Sequence, residues 1–143
     1  MSKQVVLISH GKLSAGVADA VSMVFGKNEE LSFLGLAPDG NVVELIGGLR
    51  DRVAADPDVQ FIVIADIFGG SVCNQSLQQL SEFDNVVLLS GLSMGLVLSI
   101  LAMPGELTQA QIDQAVADAR EGTKVVELIK ADTLVDSGED DFF

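Results

Sequence analysis

A chain of 143 residues has the length of one ordinary domain, enough to bury roughly two-thirds of its unfolded surface, and its 48% hydrophobic content without Trp or Tyr excludes a disordered class. Eight basic residues against 21 acidic ones leave a formal charge of -13, which argues against nucleic acid and anionic lipid headgroups as partners. The single cysteine, Cys73, cannot form an internal disulfide, and Met1 leads into an apolar strand rather than a signal peptide, so a cytoplasmic protein is expected.

In chain order, the first apolar run is Val5 to Ile8, of strand length and unbroken. Val17, Val21, Val24 and Phe25 follow at helical spacing, then a second strand-like run, Leu31 to Leu36, whose Ser32 and Gly35 place it nearer a sheet edge. Leu45, Ile46, Leu49 and Val53 share one face of a second helix, which Asn41 opens with Glu44 three residues on. Phe61 to Ala65 is the third strand; Ser71 is an N-cap candidate for a helix over Val72 to Leu80. Val86 to Leu89 is the fourth strand, and Ser93 precedes a helix-like segment flanked by Met94 and Met103. Thr108 and Gln111 have capping-box spacing ahead of Ile112, Ala115, Val116 and Ala119 on one helical face. Val125 to Ile129 reads as a last strand, and 131–143 as an acidic tail after a single domain of residues 1–130. The longest apolar stretch, Val86 to Met103, is broken by Ser90, Gly91, Ser93, Gly95 and Ser99, short of the ~20 residues a membrane span needs.

The first, third and fourth strands are continuously apolar, as strands covered by helices on both faces are. Strand and helix alternate. The expected fold is a three-layer α/β/α arrangement around an open, mostly parallel sheet with right-handed crossovers.

In such a sheet, reacting groups gather at the carboxyl ends of the strands. The first strand ends in Ser9, His10 and Gly11, and His10 is the only histidine. A neutral imidazole, with a reference pKa of about 6.5, is a nucleophile near neutral pH; an incidental loop histidine is the competing reading. Asp66 ends the third strand, where a carboxylate needs a donor. If the two strands are neighbours, it would hold Nδ1–H of His10 and free Nε2 to attack, the alternative being a cap for the next helix. Gly69, Gly70 and Ser71 then lead into a helix start that offers free N–H groups to a phosphoryl group, although many such turns are only connections. Asn74, one turn on, and Ser9 are candidates for supporting these groups, with capping or packing as the plainer roles. Cys73 reads as a small packed residue. There is no Walker sequence and no dinucleotide fingerprint, and one His with one Cys makes no zinc site, so no cofactor or metal is expected.

Val5 to Gly11 with Ala15 onward, Asp66 to Ser71 followed by Asn74, Val86 to Gly91, and Ala119 to Gly122 together resemble a known family. It is the A component of the mannose-type (mannose, fructose, sorbose) phosphoenolpyruvate-dependent sugar phosphotransferase system, and the likeness spans about residues 3 to 130. The resemblance implies a phosphoryl carrier. His10 would take the group from the phosphorylated histidine-containing phosphocarrier protein and pass it to a separate B component, which feeds a membrane sugar permease. Asp66 falls on the aspartate that hydrogen-bonds the active histidine, and Ser71, beside Gly70, on the serine near the phosphoryl group. The family's homodimer exchanges a C-terminal strand, which would be Val125 to Ile129 here. This chain departs from its relatives at Leu92 to Gly95 and at Val72 and Cys73, positions that bear on partner specificity. With the sequence ending at Phe143, a fused B domain is not expected, and the acceptor would be a separate protein.

The reaction expected on this basis is in-line transfer between two imidazoles, governed by positioning and by donors aimed at the phosphoryl oxygens, with Ser71 and the Gly70 and Ser71 amides as candidates. Partners would meet a mostly uncharged rim around Phe68 and Leu92. Three other readings compete: a regulatory module that signals through its histidine, the phosphotransfer subunit of a dihydroxyacetone kinase system, and a small hydrolase using His10 and Asp66. The last lacks a second nucleophile.

Overall fold

A computed structural model describes residues 2–129. Its elements run β1 (Lys3–His10), α1 (Leu13–Phe25), β2 (Leu31–Leu36), α2 (Val42–Ala55), β3 (Gln60–Ala65), α3 (Ser71–Leu80), β4 (Val86–Ser90), α4 (Met94–Ala102) and α5 (Gln109–Glu121). The four strands form one sheet in the order β2-β1-β3-β4, every pair parallel, so the α/β class and parallel sheet stand as expected.

Side-chain alternation along each strand divides the core in two. Val5 and Leu7 of β1 join Ile62 and Ile64 of β3 under α1, α4 and α5. Val6 and Ile8 join Phe61, Val63 and Ala65 under α2 and α3. All four of these β1 side chains have no exposed surface. Fully burying an aliphatic side chain of this size is worth about 1.5–3 kcal/mol, so β1 and β3 are the most firmly held part of the molecule.

The helix starts follow local chemistry. Asn41 accepts from Glu44 N–H at the start of α2, Ser93 from Leu96 N–H at α4, and Thr108 and Gln111 complete a reciprocal capping box at α5. Ser71 is not an N-cap. Gly70 holds that place, and Ser71 is the first residue of α3.

Three further expectations change. The gapless apolar pattern of β4 suggested burial on both faces, yet β4 is an edge strand whose five residues are all half-buried. β2, with Ser32 and Gly35, is the other edge, as expected. Val17, Val21, Val24 and Phe25 share helical spacing, but the buried residues of α1 are Ser14, Ala18 and Val21, and Val24 and Phe25 are exposed. Val125 to Ile129 joins no strand of this chain; Val125 and Leu128 are almost fully exposed. The acidic tail at 131–143 lies outside the described residues.

Candidate functional site

The register of β1 and β3 builds the site. Ile8 pairs with Ala65, so the next residues of the two central strands emerge side by side at the carboxyl edge of the sheet. Counting on from Val6 and Ile8, His10 points to the face covered by α2 and α3, above the start of α3. Ser9 points the opposite way and is fully buried, its Oγ accepting the Ser14 N–H of α1 at 2.8 Å. Ser9 therefore anchors the β1–α1 turn and does not meet the reacting atoms.

Asp66 and Ser71 hold the two nitrogens of the His10 ring. Asp66 Oδ2 lies 2.7 Å from Nδ1 and also accepts the backbone N–H of His10 at 2.9 Å, while Oδ1 accepts Ile67 N–H at 2.9 Å. Ser71 Oγ is 3.2 Å from Nε2. Partial burial pushes the Asp66 carboxyl up, but its hydrogen bonds from the backbone and ring of His10 and from Ile67 N–H outweigh that and hold it below the ordinary aspartate range. An ionised carboxylate only accepts, so Nδ1 carries the proton and the Nε2 lone pair points outward. The ring itself is half exposed, 51% against 8% for the Asp66 side chain.

Glycines give the ring its room. A Cβ on Gly70 would fall 3.5 Å from His10 Cε1 and 2.8 Å from Ile67 Cγ2, so a side chain there would crowd the site. The Gly70 N–H is engaged with Ile67 O at 3.3 Å, and Asn74 N–H closes on Gly70 O at 2.9 Å. The first-turn donors left over are those of Ser71, Val72 and Cys73. Asn74 does not reach the ring; its Nδ2 donates to Gly69 O at 3.0 Å and braces the loop. Cys73 is buried, as a packed side chain would be.

Sequence reasoning overlooked the opposite wall of the turn. Gly11 N–H donates to Leu36 O at 2.7 Å, Ser14 Oγ donates to Leu34 O at 2.9 Å, and a Cβ on Gly35 would overlap the Gly11 carbonyl oxygen. The available signal is Gly35 itself: a glycine inside a strand marks a close backbone approach as well as an edge. A cavity of about 500 Å³ lies at the other end of the sheet, lined by Glu82, Asp84 and Glu106 among others; His10 is not part of its lining. Among the described residues no group of three His, Cys, Asp or Glu side chains is placed to hold a metal, and no helix is long and apolar enough to cross a membrane.

The arrangement is a histidine with one nitrogen held by a carboxylate and the other open to solvent beside a hydroxyl and a helix start. Known proteins share the fold. The mannose/sorbose-specific IIA subunit of the phosphotransferase system from Enterococcus faecalis superposes with a TM-score of 0.81 at 16% identity, over 91% of this chain and 98% of that one. The IIA protein associated with the fucose utilization operon of Streptococcus pneumoniae gives 0.77 at 22% identity, over 87% and 93%. By sequence, the chain is 26% identical over 96 residues to the sorbose-specific A component of Klebsiella pneumoniae, 67% of this chain and 70% of that protein. The family model described as the PTS system fructose IIA component matches residues 4–120, a span that includes both β1 with His10 and the Asp66–Ser71 loop. The chain belongs to the fructose and mannose family of phosphotransferase system A components.

Proposed function

We propose that the protein is a phosphoryl carrier that accepts a phosphoryl group on Nε2 of His10 from the phosphorylated histidine-containing phosphocarrier protein and yields it to a separate B component for sugar uptake. The observation that carries this reading is the 2.7 Å contact of Nδ1 with Asp66, which leaves Nε2 as the open, unprotonated atom. In the loading step the Nε2 lone pair attacks phosphorus as the bond to the donor imidazole breaks, and that electron pair returns to the donor ring. Nδ1 keeps its proton, so the positive character that grows on the His10 ring faces the Asp66 carboxylate. Ser71 Oγ, now 3.2 Å from Nε2, is positioned to turn its hydrogen onto a phosphoryl oxygen, alongside the free N–H groups at the start of α3. This is positioning chemistry with little covalent work for the protein.

Membership in this family also supports a cytoplasmic homodimer that exchanges a C-terminal strand. β4 has a hydrogen-bonded neighbour on one side only, and Val125, Val126, Leu128 and Ile129 offer an exposed apolar stretch of matching kind.

The test is intact mass after incubation with phosphoenolpyruvate, the general phosphotransfer enzyme and the phosphocarrier, for wild type and His10→Ala. One added phosphoryl group that is acid-labile, alkali-stable and lost in the variant is the expected result. No loading under conditions that charge a known A component refutes the carrier role and leaves a regulatory module.

A further inference from the structure

We infer that Phe68 is the docking anchor of this site, an exposed aromatic knob on a braced loop that seats in an apolar hollow beside the transferring histidine of the phosphoryl-donating protein. The inference rests on the carrier reading above and adds the residue that selects the partner.

Phe68 is 84% exposed, the most exposed of the phenylalanines in the described residues. Its position in the chain is between Asp66 and Ser71, the two residues that grip the His10 ring. The loop that presents it is braced rather than loose. Ile67 N–H is held by Asp66 Oδ1, Gly70 N–H by Ile67 O, and Gly69 O by Asn74 Nδ2, while Gly69 takes a positive φ of 83°. On a braced backbone a Phe has only two χ angles left to order on binding, and central aromatic anchors dominate interface energetics. Ile67, 59% exposed, and Leu13, 51% exposed at the start of α1, extend the apolar surface. Leu92, the other rim residue, is half-buried against the core and offers less.

Charge supports the choice of occupant. The chain has 21 acidic residues, and first helical turns are where acids are normally favoured. Yet α1, α3 and α4, three of the four helices that begin at this edge, carry none there; only α2 does, at Glu44. In the loops after β1, β3 and β4 the sole carboxylate is Asp66, which faces His10, and the sole cation is Lys12. In these three loops a phosphorylated partner thus meets little net charge, while the other acids of this edge, Asp39 and Glu44, belong to the β2–α2 loop and the start of α2. In-line transfer brings the reacting atoms to about 3–3.5 Å, and that forces the donor surface down onto the residues flanking Nε2.

The test is steady-state loading of wild type, Phe68→Ala and Phe68→Leu by the phosphorylated phosphocarrier protein. The expected result is a KM at least about tenfold higher for Phe68→Ala, with kcat within about twofold, and an intermediate KM for Phe68→Leu. A KM for Phe68→Ala within twofold of wild type, or a fall confined to kcat, overturns the inference. Loading of wild-type His10 by phosphoramidate, a small donor that needs no docking surface, is read separately. If wild type is loaded by neither phosphoramidate nor the phosphocarrier, the carrier reading fails; if the phosphocarrier loads wild type while Phe68→Ala leaves KM unchanged, only the anchor does.

Discussion

Replacing Asp66 with Asn keeps the shape of the side chain and removes one acceptor and the charge. In the wild type, Oδ2 takes two donors from His10 and Oδ1 takes Ile67 N–H. Asn has one oxygen for these two places. If that oxygen faces His10, the amide NH2 meets Ile67 N–H, donor against donor. If it faces Ile67, the NH2 meets Nδ1, drives the proton to Nε2 and closes the attacking atom. The variant therefore either keeps the His10 bonds without their charge and leaves Ile67 N–H unpaired, or loses both bonds at His10 together with the reactive tautomer, at about 1.5–3 kcal/mol per charge-assisted bond. Two such bonds correspond to roughly 10²–10⁴ in rate. The assay is single-turnover transfer from phosphocarrier to protein by rapid quench, with thermal unfolding as a control for the fold. The outcome that would sink this reasoning is a folded Asp66→Asn protein whose loading rate is within threefold of wild type.

The same carboxylate has a pH signature. Its folded pKa is below its unfolded one, so its contribution to stability is present above the ordinary aspartate value near 4 and is lost as the pH falls through the lowered folded value. The Tm gap between wild type and Asp66→Asn should thus shrink on acidification below about pH 4, and a gap unchanged between pH 7 and pH 3 contradicts the assignment. Ser71→Ala removes a hydroxyl 3.2 Å from Nε2 but not the N-cap, which is Gly70, so transfer should slow about 3- to 10-fold with Tm nearly constant. A large drop in Tm would instead make Ser71 structural. For the proposed strand exchange, Val126→Asp with Leu128→Asp should convert a dimer into a monomer by light scattering, and an intact dimer in that variant excludes this segment from the interface.

Most of the fold was legible because its signals are local and repeated. Apolar runs of four to six residues, three of them unbroken, marked the four strands, and the polar atoms of Asn41, Ser93 and Thr108 marked helix starts that the structure shows capped. What misled were patterns with two physical causes. A continuous apolar strand is buried on both faces or lies half-buried at an edge, and β4 is of the second kind. Val125 to Ile129 has strand composition, but a strand exists only where an edge receives it, and periodicity within one chain carries no information about a partner copy. The placement of Ser71 at the first helical position rather than the cap depends on the φ,ψ of Gly70, which no spacing rule supplies.

The site was legible in its parts and not in its direction. His10 and Asp66 could be paired by supposing β1 and β3 to be neighbours, but which face of the sheet the imidazole meets follows from parity. Val6 and Ile8 lie under α2 and α3, so two residues further His10 rises on that face, over the start of α3, while Ser9 between them turns to α1. A one-residue slip of β1 would exchange these roles, burying the imidazole under α1 and aiming a serine at Asp66. The four fully buried side chains, Val5 to Ile8, oppose that slip, because each would have to change cores. The hydrophobic strand therefore does more than support the imidazole from below: its alternation decides that His10, with Asp66 on Nδ1 and Ser71 near Nε2, is the side chain presented.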